Sequence, residues 1–136
     1  MKPLAYSVLL WLGLTFSALA QGQCVVPAGA PATPVVSTST SGGLVFKASP
    51  GCILSAYVTS GGSAGYFMIF NSTTVPGDGT VAPRNCVYVP ANTTLGLNWA
   101  PQPPEWYSTG ISVAFSTVGC QTKTLTGIAF IHGLVQ

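Results

Sequence analysis

Few side chains in this sequence can move a proton or attack a carbonyl. His132 is its one histidine, and its acids are Asp78 and Glu105. Paired-carboxylate hydrolysis would need those two acids to converge across a cleft. Asp78 lies in Gly77-Asp78-Gly79, a turn-forming triplet, and Glu105 follows Pro103-Pro104 in a proline loop. His132 shares strand parity with Ile128 and Phe130, the pattern of a core or rim position rather than of a general base. Serines are plentiful, but no α/β pattern is present to hold a nucleophile elbow and its triad.

Metal and phosphate chemistry fare no better. Two isolated acids are too few for a calcium site, and Cys24, Cys52, Cys86 and Cys120 contain no close pair of the kind zinc sites use. Gly61-Gly62 and Gly77-Asp78-Gly79 are followed by no helix that could present a phosphate-binding N-terminus. The expectation is a protein that is not an enzyme and needs neither cofactor nor metal.

One stretch offers recognition chemistry. Trp99-Ala100-Pro101-Gln102-Pro103-Pro104-Glu105-Trp106-Tyr107 combines three aromatic rings with three prolines. Rings held on a stiff loop can stack on sugar faces or anchor an interface. The same rings can instead fold inward and cap the end of a β-domain. Trp99, Trp106 and Tyr107 are therefore the candidate binding residues, with a glycan or other cell-surface ligand as candidate partner. Asn71-Ser72-Thr73 and Asn92-Thr93-Thr94 also match the N-glycosylation sequon.

Composition narrows the partners. Only 4% of residues are charged, against roughly 25% in an ordinary globular chain. Lys47, Arg84 and Lys123 are scattered and make no basic patch, which argues against nucleic acid. A surface of Ser, Thr, Asn, Gln, Gly and apolar atoms carries little repulsion between copies, so self-association into a homo-oligomer is expected.

The N-terminus reads as an export signal. Lys2 precedes an apolar run from Leu4 to Leu14, and small residues lead to Ala18-Leu19-Ala20. Charged start, short apolar core and A-x-A site describe a secretory signal peptide cleaved after Ala20, giving a secreted or periplasmic protein. No later segment is long and apolar enough to span a membrane as a helix. In an oxidising compartment four cysteines imply two disulfides, for which three pairings exist. Cys24–Cys52 with Cys86–Cys120 is the favoured set, each bridge contributing roughly 3–4 kcal/mol by loop closure.

The elements that must position these residues are strands. Residues 1–20 form the signal peptide and residues 21–43 a Pro/Ser/Thr-rich N-terminal arm, where Pro27, Pro31 and Pro34 forbid helix. Residues 44–136 form one all-β domain. Strands are expected at 44–48, 52–59, with Cys52, Leu54, Ala56 and Val58 on one face, and 66–70, which is apolar on both faces and so central. Residues 84–89 and 94–99 should pair as a hairpin across Pro90-Ala91-Asn92. Ile111, Val113 and Phe115 alternate with Ser112, Ala114 and Ser116, the mark of a strand with one wet face. Residues 125–134 close the chain, with Gly127 and Gly133 as candidate bulges. About seven strands at this spacing describe a disulfide-stabilised β-sandwich, with the jelly roll as the candidate type.

A resemblance adds to this reading. Gly65-Tyr66-Phe67-Met68-Ile69-Phe70-Asn71-Ser72-Thr73, Val75-Pro76-Gly77-Asp78-Gly79, Asn85-Cys86 and Phe115-Ser116-Thr117-Val118-Gly119-Cys120 are similar to a family of small β-proteins of proteobacterial phages and prophages. The likeness covers roughly residues 34–134. It implies a virion-associated structural protein without an assigned catalytic site, and a bridge between Cys86 and Cys120. The signal peptide sets this chain apart, because virion parts assemble in the cytoplasm. An exported copy implies a cellular protein or a phage product acting outside. The expected function is thus an exported, non-catalytic structural or assembly domain, with a glycan- or surface-binding module as the alternative.

Overall fold

The computed structural model describes residue 24 and residues 29–99, 103–124 and 128–136. The expected signal peptide, its cleavage site and Gly127 lie outside the described residues. Among the described residues there is no helix, so none is long and apolar enough to cross a membrane.

The strands are β1 (Thr33–Val36), β2 (Gly43–Lys47), β3 (Gly51–Ser60), β4 (Gly65–Asn71), β5 (Gly79–Thr80), β6 (Asn85–Val89), β7 (Thr94–Asn98), β8 (Glu105–Tyr107), β9 (Ile111–Ser116), β10 (Thr122–Lys123) and β11 (Ala129–Val135). All pairings are antiparallel. One sheet runs β1-β11-β3-β7 with β8 also on β3, the other β2-β9-β4-β6, and β10 pairs with β5 apart from both. The pairs β1–β11, β2–β9, β3–β7 and β4–β6 nest inside one another like the rungs of a single long hairpin. Rolling that hairpin brings β11 beside β3 and β9 beside β4, which is the strand order of a jelly roll.

The segment read as an N-terminal arm thus supplies an edge strand, β1. Its Pro34 is tolerated because an edge strand can spare one N–H. Further short strands raise the number above seven because β5, β8 and β10, of two or three residues each, are too brief to show a period.

The core lies between the sheets. Ile53, Ala56, Val58, Ile131 and Val135 from one sheet meet Phe46, Phe67, Ile69, Val113 and Phe115 from the other, with Tyr107 among them. At about 25 cal/mol per Å² of buried apolar area, this layer supplies the main driving force for folding.

Two bulges shape it. Leu134 pairs with Ser55 but Val135 with Ile53, leaving Leu54 as an extra residue on β3. Side-chain parity flips there, so Ile53, not Cys52, continues the buried row of Ala56 and Val58. The expected one-face run from Cys52 to Val58 is broken for that reason. In the second sheet Val45 pairs with Ser112 and Lys47 with Ile111, so Phe46 is the bulged residue. Its ring reaches over to Gly133, where an added Cβ would overlap it. Gly133 therefore leaves space for Phe46 within a regular ladder, and the β11–β3 bulge falls one pair further on, between Leu134 and Val135.

The alternation in β9 reads correctly as sidedness, but its serine face is not wet. Ser112, Ala114 and Ser116 are fully buried. The long β4–β6 connection covers them: Met68, Phe70 and Ala114 form a second small core against Val75, Val81 and Cys86. The hydroxyl of Ser112 donates to the Thr74 carbonyl at 2.9 Å, and that of Ser116 to the Thr122 carbonyl at 2.6 Å. Cys86–Cys120 staples β6 to the turn before β10, and Lys123 Nζ meets Asp78 Oδ1 at 2.8 Å across the β10–β5 pair. Cys24–Cys52 ties the N-terminal segment to β3, and both bridges have Cα–Cα separations of 5.8 Å. Two disulfides point to an oxidising, extracellular or periplasmic setting.

Gly133→Ala is expected to lose about 1–3 kcal/mol of unfolding free energy, because the Phe46 ring must move. Gly61→Ala, in open space, should change little. Equal denaturation midpoints for the two variants would contradict this packing.

Candidate functional site

The hairpin expected between β6 and β7 does not form. β6 pairs with β4 in one sheet and β7 with β3 in the other. The chain crosses between sheets through Pro90–Thr93, where Asn92 takes a left-handed conformation, φ 54°. Asn92 donates its amide to the Gly61 carbonyl at 2.8 Å, and Ser60 Oγ donates to the Pro90 carbonyl at 2.5 Å. The crossing is thereby docked onto the β3–β4 turn. That turn, Gly61-Gly62-Ser63-Ala64-Gly65, spells G-x-S-x-G, yet it joins two strands at the surface and leads into no helix.

Because β6 and β7 share no ladder, a cleft of about 400 Å³ opens between these two sheet edges. Phe67 and Ile69 form its floor, Asn85, Cys86 and Val87 one wall, and Gly96, Leu97, Asn98 and Trp99 the other. None of the described residues that line it is charged.

Behind the Asn85 wall lies a polar cluster joining the sheets. Glu105 Oε1 accepts from Arg84 Nε at 2.6 Å. Glu105 Oε2 accepts from Asn85 Nδ2 at 2.5 Å and from the Tyr107 hydroxyl at 3.2 Å. Asn85 Nδ2 also reaches the Tyr107 oxygen at 3.3 Å, and the Arg84 guanidinium lies 4.9 Å from the Tyr107 ring centroid. Burial pushes the Tyr107 phenol well above its ordinary value of 10.0; the Asn85 hydrogen bond opposes this and the Glu105 charge adds to it.

The expected binding residues separate. Trp99 is half-buried against the core and lines the cleft. Trp106 pairs with Cys52 and, alternating with Glu105 and Tyr107, faces away from the sandwich interior. Tyr107 is fully buried, so it is a core residue and not a platform for a ligand. Its inward turn follows from β8 pairing with β3 beyond the Leu54 bulge. Residues 100–102 of the loop lie outside the described residues. Asn85, Leu97 and Asn98 are site residues that sequence reasoning missed, because they look like ordinary strand positions.

The catalytic candidates are not assembled. Asp78 and Glu105 belong to separate ion pairs, with Lys123 and Arg84. His132 stands on the exposed face of β11 rather than in the core. Asn71, of the first sequon, is held by Thr109 N at 2.9 Å and Ser108 Oγ at 3.0 Å. Among the described residues no group of three His, Cys, Asp or Glu side chains could hold a metal ion.

A second surface stands out beside the cleft. On the outer face of the β1-β11-β3-β7 sheet, Cys24 is bridged to Cys52 at one end, and further along the face carries exposed apolar side chains. Register places Val36, His132, Tyr57 and Gly96 in one row and Phe130, Thr59 and Thr94 in the next. Val36, Tyr57 and Phe130 are 54%, 45% and 44% exposed, high values for large apolar side chains. Tyr57 lies across Gly96, where an added Cβ would come within 2.8 Å of its ring. These rows contain no Lys, Arg, Asp or Glu.

No family model, curated protein or solved structure matches the chain. Function must therefore be argued from these two surfaces.

The buried phenol gives a signed expectation. Below pH 10 Tyr107 is protonated in both folded and unfolded chains; above it only the unfolded chain loses the proton. Stability should then fall with rising pH by up to about 1.4 kcal/mol per pH unit from this group. Tyr107→Phe should flatten that alkaline slope in denaturant titrations. Parallel pH profiles for the two proteins would contradict the assignment.

Proposed function

We propose that this is an exported, non-catalytic structural domain that assembles with copies of itself through the outer face of the β1-β11-β3-β7 sheet. The observation that carries the reading is the asymmetry between the sheets. The chain spends its β4–β6 connection, β5, β10 and one disulfide on covering the other sheet around Met68, Phe70 and Ala114. The face bearing Val36, Tyr57 and Phe130 is left to solvent. Large apolar side chains exposed together on one sheet face support an interaction site there.

A second copy is the partner whose chemistry fits. Burying this face would strand no charge, so the desolvation penalty of ionic interfaces does not arise. A two-fold axis would set the same rows against each other, giving a self-complementary contact. Pro34 in β1 removes a donor from the adjoining sheet edge, which disfavours strand-to-strand extension and leaves the face as the route. Support for a virion-associated or prophage-derived setting comes from the phage-protein likeness alone, and support for export from the N-terminal pattern and the disulfides.

Light scattering coupled to size exclusion on the oxidised protein should find a defined oligomer. Phe130→Glu should give a monomer with an unchanged circular dichroism spectrum. Tyr88→Glu, exposed on the other sheet, should leave the oligomer intact. A monomer at every concentration, or dissociation by Tyr88→Glu instead, would overturn the reading.

A further inference from the structure

We infer that the cleft between β6 and β7 is a binding site for a neutral saccharide. Its mouth lies at the sheet edges, and Gly96 is common to its lining and to the Val36–Tyr57–Phe130 face, so the variants below are chosen to separate the two sites.

The inference starts from Asn85. A primary amide offers two N–H donors and one carbonyl acceptor. The Asn85 Nδ2 is directed at the polar cluster, 2.5 Å from Glu105 Oε2 and 3.3 Å from the Tyr107 oxygen. A carboxylate can only accept, so Glu105 fixes which way round the amide sits. What Asn85 can offer the cleft is its carbonyl oxygen, an acceptor for a hydroxyl. Arg84 holds Glu105 from the other side at 2.6 Å, so the orientation is set before any ligand arrives. Sites with pre-set polar groups lose less entropy on binding.

The opposite wall supplies the complementary surface. Trp99 and Leu97, on the inward-facing parity of β7, make it apolar. A pyranose has this division of character: hydroxyls around its rim and an apolar C–H face that stacks on flat rings. The volume, about 400 Å³, falls in the range of small-molecule sites. The uncharged lining gives nothing to neutralise a phosphate, a carboxylate or an amine, which removes nucleotides and acidic sugars as preferred ligands.

The test is a glycan array of neutral and acidic mono- to tetrasaccharides, with hits titrated calorimetrically against the oxidised full chain. Saturable binding of a neutral saccharide is expected, at least tenfold weaker in Trp99→Ala and in Asn85→Ala. Trp106→Ala, outside the cleft, should bind as the unmutated protein does. Should either cleft variant fail to fold, ¹⁵N spectra of the unmutated protein give a second reading. The saccharide should shift the Trp99 indole and the Asn85 side-chain amide signals. An array without neutral hits, hits confined to acidic sugars, or shifts centred on Trp106, Tyr57 or Phe130 would overturn the inference. Loss of oligomerisation in Phe130→Glu with saccharide binding retained would separate this site from the assembly face.

Discussion

Strand β3 holds three partners, with β11 along one side and β7 then β8 in succession along the other. The rest of the sandwich is organised around that sharing. A regular ladder could not change partner so abruptly while keeping its apolar side chains inward. The extra residue at Leu54 absorbs the change: it reverses parity so that Ile53 returns to the core. The same reversal aims Glu105 and Tyr107 inward from β8, where they meet Arg84 and Asn85 of the opposite sheet. One bulge therefore closes the core at that end and builds the cluster behind the cleft.

The sandwich is chemically two-sided. One sheet is covered by the chain's own β4–β6 connection and by β10, whose Thr74 and Thr122 carbonyls accept from the buried serines of β9. Unpaired, those hydroxyls would each cost about 1–3 kcal/mol, so the cover and the strand beneath are mutually dependent. The other sheet shows the Tyr57 and Phe130 rings to solvent among the described residues. With so few charges in the chain, four of them are spent on ion pairs that fasten the cover and the cluster. Little charge is left to keep like surfaces apart.

Much of the architecture was legible in the residues. Alternation in 111–116, the two-sided apolar run 66–70 and the Gly/Pro turns located the long strands and the sandwich. The favoured cysteine pairing matches the observed bridges. What stayed hidden was long-range. Nothing local distinguishes 85–89 and 94–98 as a hairpin from the same strands split between sheets, because both apolar faces point inward either way. The cleft is a consequence of that split, so Asn85 and Asn98 carried no signal of their own. The alternating serines of β9 were read as wet because a period reports sidedness, not what covers each side. Tyr107 was misassigned for a related reason, since a bulge in β3 sets the direction of a ring more than fifty residues away in sequence.

The claim on which the account turns is that the outer face of the β1-β11-β3-β7 sheet, with its exposed Val36, Tyr57 and Phe130, is where copies meet. Hydroxyl-radical footprinting of the unmutated, oxidised protein over a range of concentrations addresses it without altering the chain. Modification of Tyr57 and Phe130 should fall as concentration rises, while that of Tyr88 on the opposite sheet stays constant. Constant labelling of Tyr57 and Phe130 throughout, or protection confined to Tyr88, would contradict it.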